Sequence, residues 1–426
     1  MPVLTYILEA LIGATLLATA FGIAARSPRT APLLKSMPAS RPARMALAAL
    51  TALPGIGMIV ATIVPIAAFF AAVLSILVVA ALGTASKING GRPSWRISVL
   101  LVVAAISVAI MQPLGLKVMF LPPADELPVE PAMAQVVKTY AAGVAFEGIA
   151  AGRDGTLYLA ANTGLDFTRS AYYHDANGQI IARRTDGSER VLFTTPTGST
   201  AGVIVAAPDG TIFMTSNGDQ PGIWRLSPGA DAVKIATLPS GAWPNGLDFG
   251  PDGMLYTADS NLAQIWRINP ATGKTEVALR DKRLAARPVV ALAPGANGVR
   301  FAGQDMIVTV SDSTEVLKYP LGTDGRFGAP ALIARGIPGD DFAIGMDGAL
   351  FVTTHPYDTV VKIAPDGRRT IIAGSRQNII GATAAAFGTG PQDGDILYVV
   401  TDGGAFTKGD TAQGQLVALR PYGRAK

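Results

Sequence analysis

One pattern returns along the C-terminal two thirds of the chain: an apolar strand, a tight polar turn, a second apolar strand and then a third. Gly148-Ile149-Ala150 and Leu157-Tyr158-Leu159 flank Asp154-Gly155, and Val203-Ile204-Val205 and Ile212-Phe213-Met214 flank Asp209-Gly210. Similar pairs flank Asp252-Gly253, Gly303-Gln304, Asp347-Gly348 and Asp393-Gly394. A third short strand follows each pair, around Ile180, Ile223, Ile265, Leu317, Val361 and Leu416. Asp154 and Asp393 are 239 residues apart, five intervals of about 48 residues each, a spacing that suits four-stranded propeller blades. Asp-Gly between alternating apolar strands predicts type I′ turns, which need positive φ at both central positions. A β-sandwich of short strands has no reason to keep a fixed period. The pattern therefore predicts an all-β, six-bladed β-propeller over residues 134–426, with Val136–Tyr140 and the strand near Leu416 closing the ring.

Upstream, the chain changes character. Only 15% of its 426 residues are charged, against about 25% in a soluble domain. Residues 1–120 hold nine Lys or Arg and one acid, Glu9, for a net +8; the remainder has 26 basic and 30 acidic residues, for a net −4. The basic excess thus belongs to the apolar segment, and a nucleic-acid partner, which would want a basic face on the folded domain, loses its support. With no Cys there is no disulfide, thiolate nucleophile or Cys-ligated metal.

A hydrocarbon core takes about 20 helical residues to cross. Residues 4–25 form one such run, while 45–83 is too long for one span and divides at Pro65 into 45–64 and 66–83. Pro54-Gly55 offers another break, and a fourth span covers 97–119. Loop 26–44 carries five basic residues and loop 84–96 three, which places both in the cytoplasm and an integral membrane protein's propeller on the periplasmic or extracellular side. A three-span arrangement would reverse that side. Residues 1–120 thus read as an α-helical transmembrane segment, 121–133 as a linker, and Glu9, near a span end, as interfacial. The lipid bilayer is the partner of this segment.

In a propeller, the residue just before each innermost strand faces the central channel. Those positions hold Glu147, Ala201, Asn245, Asn297, Asp340 with Asp341, and Ala382 with Thr383. Carboxylates and carboxamides converging from separate strands make an oxygen-rich cage suited to a hard cation, calcium first and zinc, manganese or magnesium as alternatives. The competing reading of each Asn-Gly is a positive-φ turn with no chemistry. Asp340-Asp341 resists it, because adjacent buried carboxylates repel unless a cation lies between them.

Phe146-Glu147-Gly148-Ile149, Pro244-Asn245-Gly246-Leu247, Ala296-Asn297-Gly298-Val299 and Asp340-Asp341-Phe342-Ala343-Ile344 resemble the gluconolactonase family that includes senescence-marker protein, and more remotely the paraoxonases and strictosidine synthases. Gly381–Gly388 and Thr401-Asp402-Gly403-Gly404 resemble its closing blade. The resemblance covers about residues 140–422 and leaves the apolar segment out. It implies a divalent metal, usually calcium, at the channel mouth, with Glu147, Asn297 and Asp340 as ligands and Asn245 contacting metal or substrate. Asp341 matches a second ligand of the paraoxonase-like pattern, and Asp340 doubles as a general base. Where sugar lactonases carry Arg, this chain has Trp243, which implies a more apolar substrate. His355 matches a channel His of paraoxonase-like propellers. His174, in Tyr172-Tyr173-His174-Asp175, would contact substrate if its loop folds over the mouth.

The expectation is a membrane-anchored, metal-dependent lactonase or esterase acting on a small apolar lactone or ester. The alternative is a non-catalytic propeller that binds a ligand or protein and holds a structural ion. A strictosidine-synthase-like enzyme would require a channel Glu from a late blade, and there is none.

Overall fold

The computed structural model describes residues 2–30, 40–61, 67–88, 95–111, 121–167, 171–286 and 293–423, and the chain divides into two compact units after Phe120. The first contains helices α1 (Pro2–Ala24), α2 (Arg41–Ala61), α3 (Ala67–Ile88) and α4 (Trp95–Met111). Three of these are long and apolar enough to cross a membrane; the apolar stretch of α4, Ser98–Val108, is shorter. The expected break at Pro65 and the end of the expected fourth span fall outside the described residues. Helix α2 continues through Pro54, so that alternative break is not used. Small residues let α1 and α2 approach closely, since a Cβ on Gly13 would stand 3.0 Å from the Gly55 carbonyl oxygen. Glu9, expected at an interface, is instead fully buried in the helical unit.

The second unit is a ring of six four-stranded antiparallel sheets. Blade 1 comprises β2 (Ala145–Ala151), β3 (Leu157–Thr163), β4 (Asn177–Arg183) and β5 (Glu189–Thr194). Blade 2 comprises β6 (Ile204–Ala206), β7 (Ile212–Ser216), β8 (Gly222–Leu226) and β9 (Val233–Thr237). Blade 3 comprises β10 (Pro244–Phe249), β11 (Leu255–Asp259), β12 (Gln264–Ile268) and β13 (Thr275–Arg280). Blade 4 comprises β14 (Ala296–Ala302), β15 (Asp305–Val310), β16 (Glu315–Pro320) and β17 (Ala331–Ala334). Blade 5 comprises β18 (Phe342–Ile344), β19 (Leu350–Thr354), β20 (Thr359–Ile363) and β21 (Arg369–Ala373). Blade 6 joins β22 (Ala382–Phe387), β23 (Leu397–Thr401) and β24 (Gln415–Arg420) to β1 (Met133–Thr139). Val136 pairs with Val417 and Lys138 with Leu416, which closes the ring as the sequence predicts.

The core lies between facing blades rather than at the axis. Val203 and Phe213 of blade 2 pack with Leu247, Leu255 and Trp266 of blade 3, and Tyr256 and Ile265 of blade 3 pack with Val299, Met306 and Leu317 of blade 4. Each sheet covers its neighbour, and that mutual burial holds the ring together.

The polar turns are real but of a different type from that predicted. Gly155, Gly210, Gly253 and Gly348 have φ between 73° and 84°, whereas the Asp residues before them do not have positive φ. The Gly155 amide donates to the Gly152 carbonyl at 3.0 Å, and Asp154 Oδ1 accepts from the Thr156 amide at 3.0 Å. These are type I turns closed by a left-handed glycine, with the Asp side chain capping its own loop. At Asp393-Gly394 the glycine is not left-handed, and Asp393 Oδ1 accepts from the Gly390 amide at 2.7 Å instead.

The segment read as a linker is zipped along blade 5. Val129 bridges Ile371 in parallel, the Ile371 amide donates to the Pro128 carbonyl at 2.8 Å, and Arg369 pairs with Asp125 at 2.7 Å. Tyr357 Oη donates to the Pro122 carbonyl at 2.6 Å, so the chain enters the propeller beside the turn that carries His355.

Candidate active site at the channel mouth

The inward-facing residues occupy local irregularities of the innermost strands. Register shifts fall between Phe146 and Gly148, Pro244 and Leu247, Ala296 and Val299, and Ala382 and Ala384. They bracket Glu147, Asn245, Asn297 and Thr383. A bulge re-aims a side chain that regular alternation would send into the sheet face. The Asn-Gly glycines are therefore not positive-φ turns. A Cβ on Gly246 would lie 2.3 Å from the Asn297 carbonyl oxygen, and one on Gly298 would lie 2.8 Å from that of Asp340. Glycine is required because the next blade's first strand passes against it.

Threonines of the second strands fix this arrangement. Thr309 Oγ1 accepts from the Gly298 amide at 2.7 Å and donates to the Asp340 carbonyl at 2.6 Å. Thr353 Oγ1 accepts from the Asp341 amide at 3.1 Å and lies 2.9 Å from the Thr383 carbonyl. Each hydroxyl ties its own blade to the next around the channel.

Serines just past the second strands orient the carboxamides. Asn297 Nδ2 donates to Ser311 Oγ at 2.9 Å, which donates to the Gly339 carbonyl at 2.6 Å. Asn245 Nδ2 lies 3.4 Å from Ser260 Oγ, which donates to the Ala296 carbonyl at 2.8 Å. Asn297 Oδ1 is left buried with no hydrogen-bond partner among the described residues.

Glu147, Asp340, His355 and Asp402 form one electrostatic cluster. Burial pushes the Glu147 carboxyl well above its usual range; the Asp340 charge pushes it further, and His355 opposes the rise. Asp340 is pushed up to about 7 by burial, against the opposing charge of His355. His355 lies 2.9 Å through Nε2 from Asp402 Oδ2. Burial alone would lower the imidazole, but the Asp402 charge and hydrogen bond, helped by Asp340 and Glu147, raise it to about 9. The Gly404 amide fixes Asp402 through Oδ1 at 2.7 Å, and Phe406, in the short helix α5 (Ala405–Lys408), packs on the His355 ring at 4.8 Å.

Asp341 Oδ2 lies 2.5 Å from Arg300 Nη2, a guanidinium from blade 4, while its Oδ1 is buried with no hydrogen-bond partner among the described residues. Arg300 also donates to the Leu247 carbonyl at 3.2 Å, and its charge opposes the burial that raises Asp248. The His174 side chain is 68% exposed, with Asp175 at 4.0 Å. Its neighbours turn in instead. The Tyr172 and Tyr173 rings lie 5.9 and 5.8 Å from Trp243, and the Glu147 and Asp340 charges help burial to raise the Tyr172 hydroxyl.

Among the described residues, no three His, Cys, Asp or Glu side chains are grouped to hold a metal by themselves. A cation here needs carboxamide oxygen as well. Asn297 Oδ1, unpartnered among the described residues, and the half-buried Glu147 and Asp340 carboxylates are the oxygens available for it, and an all-oxygen set of this kind fits a hard divalent ion.

Asp402, Ser260, Ser311, Arg300 and Tyr172 were missed by reading only the first strands. The same frame read one strand later, at second-strand ends, yields Asn217, Ser260, Ser311, His355 and Asp402.

No family model matches the sequence, and no curated protein matches it. Solved structures do match in fold. A luciferin-regenerating enzyme superposes with a TM-score of 0.50 at 14% identity, over 68% of this chain and 96% of its own. A calcium-binding regucalcin from Agrobacterium tumefaciens gives 0.49 at 16%, over 69% and 97%. A gluconolactonase from Xanthomonas campestris gives 0.48 at 16%, over 70% and 97%. In fold, the C-terminal unit is a six-bladed β-propeller that superposes on the luciferin-regenerating enzyme.

Proposed function

We propose that the protein is a membrane-anchored, divalent-metal-dependent hydrolase of apolar lactones or esters, its propeller on the extracytoplasmic side of a four-span anchor. The observation that carries this reading is the cluster of the half-buried Glu147 and Asp340 carboxylates with the His355–Asp402 pair, with Asn297 Oδ1 of the neighbouring blade unpartnered among the described residues. Glu147, Asn297 and Asp340 would hold the ion, calcium first, with Asn245 completing the set or contacting substrate. When bound, the ion supplies Lewis-acid polarisation of the substrate carbonyl.

The protein's own groups then carry the protons. Water adds to the carbonyl carbon and gives its proton to the Asp340 carboxylate. His355, held protonated by Asp402, donates to the departing alkoxide as the acyl–oxygen bond breaks, and the Asp340 proton returns to His355. Ser311 accepts from the Asn297 amide nitrogen and Ser260 lies beside that of Asn245, contacts that would leave each carboxamide oxygen free for the ion or substrate. Trp243 favours apolar over polyhydroxylated substrates.

Two readouts test this. The full chain should cleave members of a lactone and aryl-ester panel, lose activity with a chelator and regain it with calcium. Because Glu147 and Asp340 are raised, protons compete with the ion below about pH 7. Calorimetric affinity for calcium should therefore rise with pH from 5.5 through 7 to about 8, as the last protons leave the two carboxyls. A flat profile, or hydrolysis indifferent to chelator, would count against the reading.

A further inference from the structure

The six equivalent positions around the mouth are not alike. Blades 1, 3, 4 and 5 carry Glu147, Asn245, Asn297 and Asp340, whereas blade 2 carries Ala201 and blade 6 carries Ala382 with Thr383. Asn162 clamps Ala201 through both backbone groups, donating to its carbonyl and accepting from its amide at 2.8 Å each. Ala201 is fully buried and packs with Ile180, Ile204 and Met214, so the first strand of blade 2 adds no carboxylate or carboxamide to the mouth.

Aromatic side chains bridge that apolar sector. Tyr172 and Tyr173 come from the connection between β3 and β4 in blade 1, and Trp243 directly precedes β10 of blade 3. The Tyr rings reach Trp243 at 5.9 and 5.8 Å and lie 5.7 Å from each other, so the cluster spans blade 2. The three rings are only partly buried, which leaves apolar surface beside the polar cluster. Tyr172 is near enough to Glu147 and Asp340 for their charges to act on its hydroxyl, so this wall adjoins the reacting centre.

We propose that Tyr172, Tyr173 and Trp243 form a specificity subsite over blade 2 that takes the hydrocarbon part of an amphiphilic lactone or ester. It rests on the hydrolase reading for the fate of the carbonyl, which lies over Glu147 and Asp340 while the alkyl chain runs along the Tyr172, Tyr173 and Trp243 rings. A chain seated there is withdrawn from water at about fourfold in affinity per buried methylene. Tyr172 and Tyr173 thus set chain-length preference.

The test compares γ-nonalactone with γ-butyrolactone, using the full chain in lipid nanodiscs so that partitioning cancels between variants. Wild type should prefer γ-nonalactone in kcat/KM. Tyr173→Ala and Trp243→Ala should each lower the preference ratio at least tenfold, mainly through KM, while Tyr173→Leu and Trp243→Phe keep most of it. An unchanged ratio in folded Tyr173→Ala and Trp243→Ala overturns the subsite. If wild type cleaves neither lactone, the hydrolase reading has failed. The subsite is then judged by fluorescence, with Trp243→Phe identifying the Trp243 signal. Quenching by γ-nonalactone that is lost in Tyr173→Ala upholds the subsite, and no quenching overturns it.

Discussion

Asp340→Asn should lower kcat at least about 10³-fold, since it removes a cation ligand and the proton acceptor together. It should also abolish the response of thermal stability to metal. An ion present at 100 times its dissociation constant stabilises the folded state by about 2.7 kcal/mol, which for a domain of this size is about 4–5 °C in Tm. Wild type should lose that margin on chelation, and Asp340→Asn should show no margin to lose. The sign in the metal-free state runs the other way. Without an ion, the Asp340 charge disfavours that of the half-buried Glu147, so a neutral Asn relieves repulsion. Metal-free Asp340→Asn should therefore melt no lower than metal-free wild type. Scanning calorimetry with and without chelator reads both effects, and a variant that keeps the wild-type response sinks the assignment.

Arg300→Met should be the most destabilising single change in the propeller. Arg300 and Asp341 have side chains only 16% and 2% exposed, and they join blade 4 to blade 5. Removing one member of a buried pair leaves an uncompensated charge, at a cost of about 3–5 kcal/mol. Protonation of Asp341 softens this, because burial already raises its carboxyl despite Arg300. The loss should thus be smaller at pH 5 than at pH 8. Arg300→Met combined with Asp341→Leu should recover most of it, since an apolar pair removes the buried charge altogether. If Asp341 instead served the cation, as the paraoxonase-like pattern implies, chelation would destabilise wild type by a similar amount and the double variant would recover nothing.

These two neighbours show where sequence reading reaches and where it stops. The blades were legible because a 48-residue period and repeated Asp-Gly turns are local signals that tertiary packing reinforces. Closure by Val136–Tyr140 followed from the need to complete the last sheet. The inward ring was legible because each blade repeats one frame, so Glu147, Asn245, Asn297 and Asp340 lie at equivalent places. Asp341 was not, because its partner Arg300 is 41 residues away and meets it only across a blade boundary. The Asn-Gly glycines were ambiguous for a similar reason: a left-handed turn and a close approach to the next blade both demand glycine, and only the fold distinguishes Gly246 from Gly155. His174 attracted notice as one of two histidines, yet the adjacent tyrosines carry the inward contact.

The most direct test is the metal content of the purified full-length protein by elemental mass spectrometry, after exhaustive dialysis without chelator. The account predicts about one divalent ion per chain in wild type and in Asp341→Asn, and none in Asp340→Asn. An ion-free wild type, or an ion lost equally from both variants, would contradict a cation site built on Glu147, Asn297 and Asp340.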